Sequence, residues 1–221
     1  MPVKNKHFFI AMALSLVLAG LIVLTLVNYF SKNDTLRTQL SQKPPVSSFD
    51  IVWGSANAPL TMIIYSSYQC KFCTLFFKET FPDLKQKYVD TGRLRIILKL
   101  VDLREIPEMM QAIQATVCIN QFSDFEKFHD LLLTNHKVVY TKEFKILLDD
   151  FIAANPDIAQ CLIEHNNYRY VHQNNNEFRE YNFSGTPTFV IGNEVYSGFR
   201  KPEWFEDIFQ NQLHDATKNK N

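Results

Sequence analysis

No sign of charge predominates in this chain. Its 23 Lys and Arg balance its 23 Asp and Glu over 221 residues, and no basic block interrupts that balance. Nucleic acid attracts protein chiefly through clustered Lys and Arg, so the sequence argues against such a partner. Internal repeats are missing too, and the only low-complexity tract is the short run Asn174-Asn175-Asn176. Cysteine is scarce: one close pair, Cys70 and Cys73, and two distant singles, Cys118 and Cys161. A cysteine-type zinc site needs a second ligand pair at suitable spacing, which the singles do not supply. Haem attachment needs His directly after the second cysteine, where this chain has Thr74. No metal and no organic cofactor is expected.

Charge is absent altogether from residues 8–30. That stretch exceeds the roughly 20 helical residues that cross a hydrocarbon layer of about 30 Å. A secretory signal has a shorter apolar region and then a small-x-small cleavage site. Here Val27-Asn28-Tyr29-Phe30-Ser31 offers a poor one. The expectation is one uncleaved N-terminal transmembrane helix after a tail of residues 1–7, with secretion after signal cleavage as the alternative. Lys4 and Lys6 precede the span, and Lys32, Arg37 and Lys43 follow it, so the positive-inside count does not decide orientation. The short basic N-terminus favours an N-inside arrangement. So does the need of a persistent disulfide for an oxidising compartment. Residues 31–48 are polar, with Pro44-Pro45 and Ser47-Ser48, and read as a linker.

The chemistry lies in Cys70-Lys71-Phe72-Cys73 and its setting. Residues 60–65, Leu-Thr-Met-Ile-Ile-Tyr, read as a buried strand. A helix pattern follows from Thr74 to about Tyr88. Cys70 therefore sits where a strand ends and a helix begins. Unpaired N–H groups and the positive end of the helix dipole favour its thiolate there, and a cationic Lys71 beside it adds to that. Over a hundred residues later, Pro187 opens the apolar run Thr188-Phe189-Val190-Ile191. A proline cannot donate to a sheet ladder, so it belongs at a strand's first residue or an edge, and Thr186–Pro187 is a candidate cis bond.

Taken in order, four segments resemble the DsbA-like thiol–disulfide oxidoreductases of the thioredoxin superfamily. They are Gly54-Ser55-Ala56-Asn57-Ala58-Pro59-Leu60-Thr61, Ser66-Ser67-Tyr68-Gln69-Cys70-Lys71-Phe72-Cys73, Phe125-Glu126-Lys127-Phe128-His129-Asp130 and Gly185-Thr186-Pro187-Thr188-Phe189. The resemblance spans roughly residues 49–213. It implies that Cys70 is the exposed nucleophile and Cys73 its more buried partner. It implies that Lys71 and Phe72 form the active-site dipeptide, and that Thr186 and Pro187 form the cis-proline loop beside the disulfide, where substrate binds. Relatives with two further cysteines at comparable places pair them, so a structural Cys118–Cys161 disulfide is implied. From the residues alone, two buried free thiols remain the alternative. The chain departs from the family at Lys71, where many relatives carry proline, and at Ile64 and Ser67, where many carry acids. Losing those carboxylates removes the likeliest proton acceptors near Cys73.

The coarse pattern agrees with that family's architecture. Residues 60–65, the cysteine helix and residues 94–101 make a β-α-β unit, with residues 49–53 as a possible edge strand. No strand pattern appears from 104 to 181. Residues 188–191 and 195–199 form a hairpin turning at Gly192-Asn193, and Pro202 opens a terminal helix. The fold expected is α/β: a thioredoxin fold over residues 49–215 with an all-helical insertion of about residues 104–181 between the βαβ and ββα units, then a tail of 216–221. His129, His136, His165 and His172 fall in helical stretches and read as surface or capping residues. The expected function is membrane-anchored disulfide formation in extracytoplasmic client proteins that carry cysteines. A membrane redox partner would reset the pair, and the domain would lie on the periplasmic side of the inner membrane. A reductase or isomerase on the same fold, and a non-catalytic tethered peptide-binding module, are the alternatives.

Overall fold

Two runs are apolar on both faces, Leu60–Ser66 (β3) and Leu94–Leu100 (β4), and only Thr61 and Arg95 in them are not buried. Such strands belong in the middle of a sheet covered on both sides. In the computed structural model they pair in parallel from Leu60↔Leu94 to Ser66↔Leu100. Thr188–Ile191 (β5) runs antiparallel to β3, and Glu194–Ser197 (β6) antiparallel to β5. Ile51–Trp53 (β2) lies antiparallel on the other side of β4, and a two-residue strand, Thr38–Gln39 (β1), makes the sheet order β1-β6-β5-β3-β4-β2. The β5–β6 turn falls at Gly192, whose φ is +63°, the left-handed conformation that glycine adopts without a Cβ clash.

The structure describes residues 12, 14–25, 38–40, 42–165 and 168–218. The chain divides into two units, Met1–Thr38 and Gln39–Asn221. In the first, residues 14–25 are helical with exposed side chains. Among the described residues no helix is long and apolar enough to cross a membrane, and the rest of the expected span of residues 8–30 lies outside them. In the second unit, Leu40, inside the stretch read as linker, donates its N–H to the Asn193 carbonyl at 2.8 Å.

Between β3 and β4 runs a helix, α1, over residues 71–89. Its turns alternate: α-helical Lys71–Leu75, π-helical Phe76–Thr80, α-helical Phe81–Leu84 and π-helical Lys85–Val89. Pro82 supplies a reason for the first wide turn. It has no N–H to give, and its ring would meet the Lys78 carbonyl in a regular α-helix; the Phe81 N–H reaches back five residues to the Phe76 carbonyl instead.

The insertion follows β4 as Pro107–Phe122 (α2), Glu126–Thr134 (α3), a 3-10 turn His136–Tyr140, Lys142–Ala154 (α4), Asp157–Glu164 (α5) and Arg169–Glu180 (α6). No strand interrupts it among the described residues. Pro202–Lys218 (α7) ends the chain's helices. Cys118 of α2 and Cys161 of α5 are joined by a disulfide, with Cα atoms 5.8 Å apart.

The sheet carries a core on each face. On one side Met62, Ile64, Ile96, Leu98 and Phe189 meet Phe76, Leu84 and Phe205 in a large cluster that extends into the insertion. On the other, Ile63, Tyr65, Ile97 and Val190 meet Phe178 of α6. The same side holds a buried ion cluster. Lys99 Nζ lies 3.2 Å from Asp50 Oδ2 and 3.0 Å from Glu177 Oε2, and the Tyr65 hydroxyl donates to Glu177 Oε2 at 2.9 Å.

Candidate active site

Cys70 occupies the N-cap position of α1. Its φ and ψ, −97° and 113°, are extended, and its carbonyl accepts the N–H groups of Cys73 (3.0 Å) and Thr74 (3.1 Å). The turn thus starts at the cysteine, as a strand–helix junction requires. Cys70 is half-buried and Cys73 is 0% exposed, and both are free thiols. The Thr186–Pro187 peptide is cis and brings the Thr186 carbonyl to 3.1 Å from Cys70 Sγ, which donates to it as a thiol. Gly198 N–H holds the loop from behind by donating to the Pro187 carbonyl at 2.8 Å. Cys70, Cys73, Thr186 and Pro187, two of them over a hundred residues from the others, therefore meet at one end of the sheet.

The two thiols are driven apart electrostatically. The Cys70 pKa is lowered to about 5, first by a hydrogen bond from the Cys73 thiol, then by the Thr186 side chain and the backbone N–H groups of Cys73 and Phe72, against an opposing cost of burial. Cys73 is pushed strongly upward, first by burial and then by its hydrogen bond to Cys70, with the charge of Cys70 adding to the rise; the Ser66 hydroxyl and the Ser67 backbone pull the other way. Lys71 is not the leading influence. Its ammonium lies over the ring of Phe72, 5.1 Å from the centroid, and hydrogen bonds head the lowering of the Cys70 pKa. Phe72 is 45% exposed beside the thiol.

Beneath the cysteine turn is a buried network that the sequence reading missed. The Tyr68 hydroxyl donates to Thr116 Oγ1 at 3.1 Å and lies 2.9 Å from His129 Nδ1, and Thr116 in turn donates to the Ala112 carbonyl at 2.9 Å. His129, read as a surface or capping residue, is buried among Trp53, Tyr68, Phe77 and Phe125. Burial lowers its pKa to about 3, so it is a neutral core residue. The signal was available: position 129 is four residues from Phe125 and three from Leu132, the apolar stripe of α3.

No carboxylate stands among the influences on Cys73. Ile64, where many relatives carry an acid, is fully buried against the α1 side of the sheet. The buried Asp50 and the partly buried Glu177 instead serve Lys99 on the α6 side, next to Tyr65.

Comparison with known proteins places this geometry. Residues 47–211 match the family model described as Thioredoxin. Two relatives, from Rickettsia bellii and Rickettsia typhi, bear names that class them provisionally as protein-disulfide oxidoreductases. The first is 26% identical over 71% of this chain, the second 25% over 90%. The chain spans 65% of the length of the first and 74% of the second; for the similarly named Rickettsia felis protein the share is 56%. Among solved structures, alpha-DsbA1 of Wolbachia pipientis superposes with a TM-score of 0.64 at 20% identity, over 80% of this chain and 96% of that one. Oxidised BdbD of Bacillus subtilis gives 0.60 at 18% identity, over 80% and 98%. The chain has a fold similar to those of these two proteins, and by the family match it belongs to the thioredoxin family.

Proposed function

We propose that this protein is a thiol–disulfide oxidoreductase that forms disulfides in client proteins through Cys70 and Cys73. The observation that carries the reading is the split between the two thiols: a half-buried Cys70 lowered to about pH 5 beside a buried Cys73 raised well above the usual thiol range. In the oxidised protein the exposed Cys70 sulfur is the one a client thiolate can reach. Its attack forms a client–Cys70 mixed disulfide and expels Cys73 as a thiolate, which takes up a proton. A second client thiolate then attacks the client sulfur. The client leaves with its own disulfide, and Cys70 departs as a stable thiolate. Stabilising that thiolate stabilises the reduced enzyme, which makes the Cys70–Cys73 disulfide oxidising. The names of the Rickettsia relatives support the same activity.

The electron pair gained must be removed before the next turnover, so a redox partner is part of the proposal. An uncleaved anchor in residues 8–30 would place that partner in the membrane and the catalytic domain on the extracytoplasmic side. The Cys118–Cys161 disulfide supports an oxidising compartment. The test is the equilibrium of Cys70–Cys73 with glutathione. A potential well above the glutathione couple is expected, and a value well below it would assign the protein to the reductases.

A further inference from the structure

A second site lies apart from the sulfur pair. A cavity of about 370 Å³ opens between β2, α1 and α3, walled by Trp53, Phe77, Phe81 and His129, with Glu126 and Asp130 at its rim. Its volume is in the range of cavities that hold small molecules. The aromatic wall is continuous: Trp53 and Phe81 have centroids 4.8 Å apart, Phe77 and Phe81 5.2 Å, and Phe77 and His129 4.9 Å. Neither cysteine of the redox pair lines it, nor does Thr186.

His129 brings an unanswered polar atom. Its Nε2 is buried without a hydrogen-bond partner. The neighbouring network assigns the tautomer. Thr116 gives its proton to Ala112 and accepts from Tyr68, so the Tyr68 oxygen accepts from His129 Nδ1–H, leaving a lone pair on Nε2. A buried acceptor of this kind costs free energy until a donor meets it. At the rim Glu126 and Asp130 stand one helical turn apart on α3, both exposed, and Glu126 adds to burial in raising the Asp130 pKa. Lys85, also at the rim, is engaged with Asp90 at 3.0 Å. Acidic rim, aromatic wall and buried acceptor call for three complementary features in a ligand: a cation, a flat ring and a hydrogen-bond donor.

We propose that this cavity binds a small aromatic amine whose ring carries a hydroxyl or N–H donor, the ring against Trp53, Phe77 and Phe81, the donor on His129 Nε2 and the ammonium between Glu126 and Asp130. Tyramine serves as the probe, with p-cresol lacking the ammonium and phenethylamine lacking the donor. Binding to the full chain is read as a saturable change in tryptophan emission. Each truncated probe should bind about fivefold more weakly than tyramine, the factor expected for one hydrogen bond or one partly exposed ion pair. Glu126→Gln with Asp130→Asn, both at exposed positions, should weaken tyramine to the level of p-cresol and leave p-cresol unchanged. His129→Leu should make tyramine and phenethylamine equal. Binding should survive alkylation of Cys70 by iodoacetamide. The proposal is overturned if tyramine shows no saturable binding, if the three probes bind alike, if the rim variant leaves tyramine unaffected, or if alkylated Cys70 blocks the probe.

Discussion

On the α1 side of the sheet, sulfur and aromatic rings surround the redox pair: Cys73, Phe76, Ile64 and Phe189 are buried there, and no carboxylate is among the influences on Cys73. On the α6 side, one layer of backbone away, Lys99 is buried between Asp50 and Glu177. The strand pleat is what separates them. Ile64 and Tyr65 are neighbours in sequence, yet they pack in different cores, and Lys99 stands opposite Tyr65 in the β3–β4 register. The Lys99, Asp50 and Glu177 cluster lies on the side where no thiol reacts. On the sulfur side burial and hydrogen bonds lead, with the charge of Cys70 adding to the rise of Cys73, so the two thiols are driven apart without an acid heading the causes. The arrangement predicts that the two sides respond independently to mutation.

The largest effect belongs to the sulfur side. Cys70→Ser should abolish turnover, because the other free thiol, Cys73, is fully buried. Cys73→Ser should accumulate mixed disulfides with clients, since the buried partner that reopens them is gone. Adducts trapped by Cys70→Ser and not by Cys73→Ser would reverse the roles. Cys70→Ser should also lower the stability of the reduced form at neutral pH, because the stabilised thiolate is lost.

The ion cluster gives the next largest effect. Lys99→Met removes the one cation between Asp50 and Glu177. Breaking a buried pair in this way costs about 3–5 kcal/mol. The Asp50 pKa, which burial already raises, should rise further once the Lys99 charge that opposes the shift is gone. The comparison is sharpened if urea unfolding shows that loss while the pH profile of Cys70 alkylation stays put. It is broken if the Cys70 profile moves with Lys99, because the two sides would then be coupled through the sheet.

The insertion supplies a third test. Cys118 and Cys161 close 43 residues, and the chain-entropy model gives a loop of that size roughly 3–4 kcal/mol, in a model-dependent way. Replacing both by Ala should lower the unfolding midpoint accordingly. The Cys70 profile should again be untouched, and mild reductant should open Cys70–Cys73 before this bond.

Much of this arrangement was legible in the sequence, and the rest was not for identifiable reasons. The strands around Ile63 and Ile97, the cysteine at the start of a helix and the proline opening β5 are local signals, set by periodicity and by the missing N–H of Pro187. The Cys118–Cys161 pairing came from family resemblance, since spacing alone left free thiols open. The ion cluster left no local trace. Asp50, Lys99 and Glu177 are far apart in sequence, and each alone reads as a solvated charge; only the register of β4 and the docking of α6 bring them together. Nor was the wide turn of α1 visible, because Pro82 in a helical pattern signals a kink or a stop and not a π turn. His129 was misread because its type was weighed above its position on the stripe of α3.

The smallest effect is the most direct measure of the sulfur side. Cys70 has its pKa lowered from an unfolded value near 9 to about 5. Alkylation requires the thiolate. Its rate in the folded, reduced protein should therefore be flat from pH 8 to pH 6 and fall through about pH 5, roughly tenfold per pH unit below that. In the unfolded protein the same rate should already be falling below about pH 8.5. The linkage sign follows. A depressed acid contributes stability to the reduced fold that is fully present above the unfolded pKa, shrinks as pH falls, and is gone below the folded pKa. The reduced protein should thus lose stability relative to the oxidised one between about pH 9 and pH 5, because the disulfide has no thiol to titrate. Thr186→Val separates the contributors, since it removes the side-chain hydrogen bond to Cys70 and keeps the backbone ones. It should raise the midpoint modestly, by less than the hydrogen bond from Cys73, the leading cause, supplies. A midpoint near that of free cysteine in the unsubstituted protein would remove the basis for an oxidising pair.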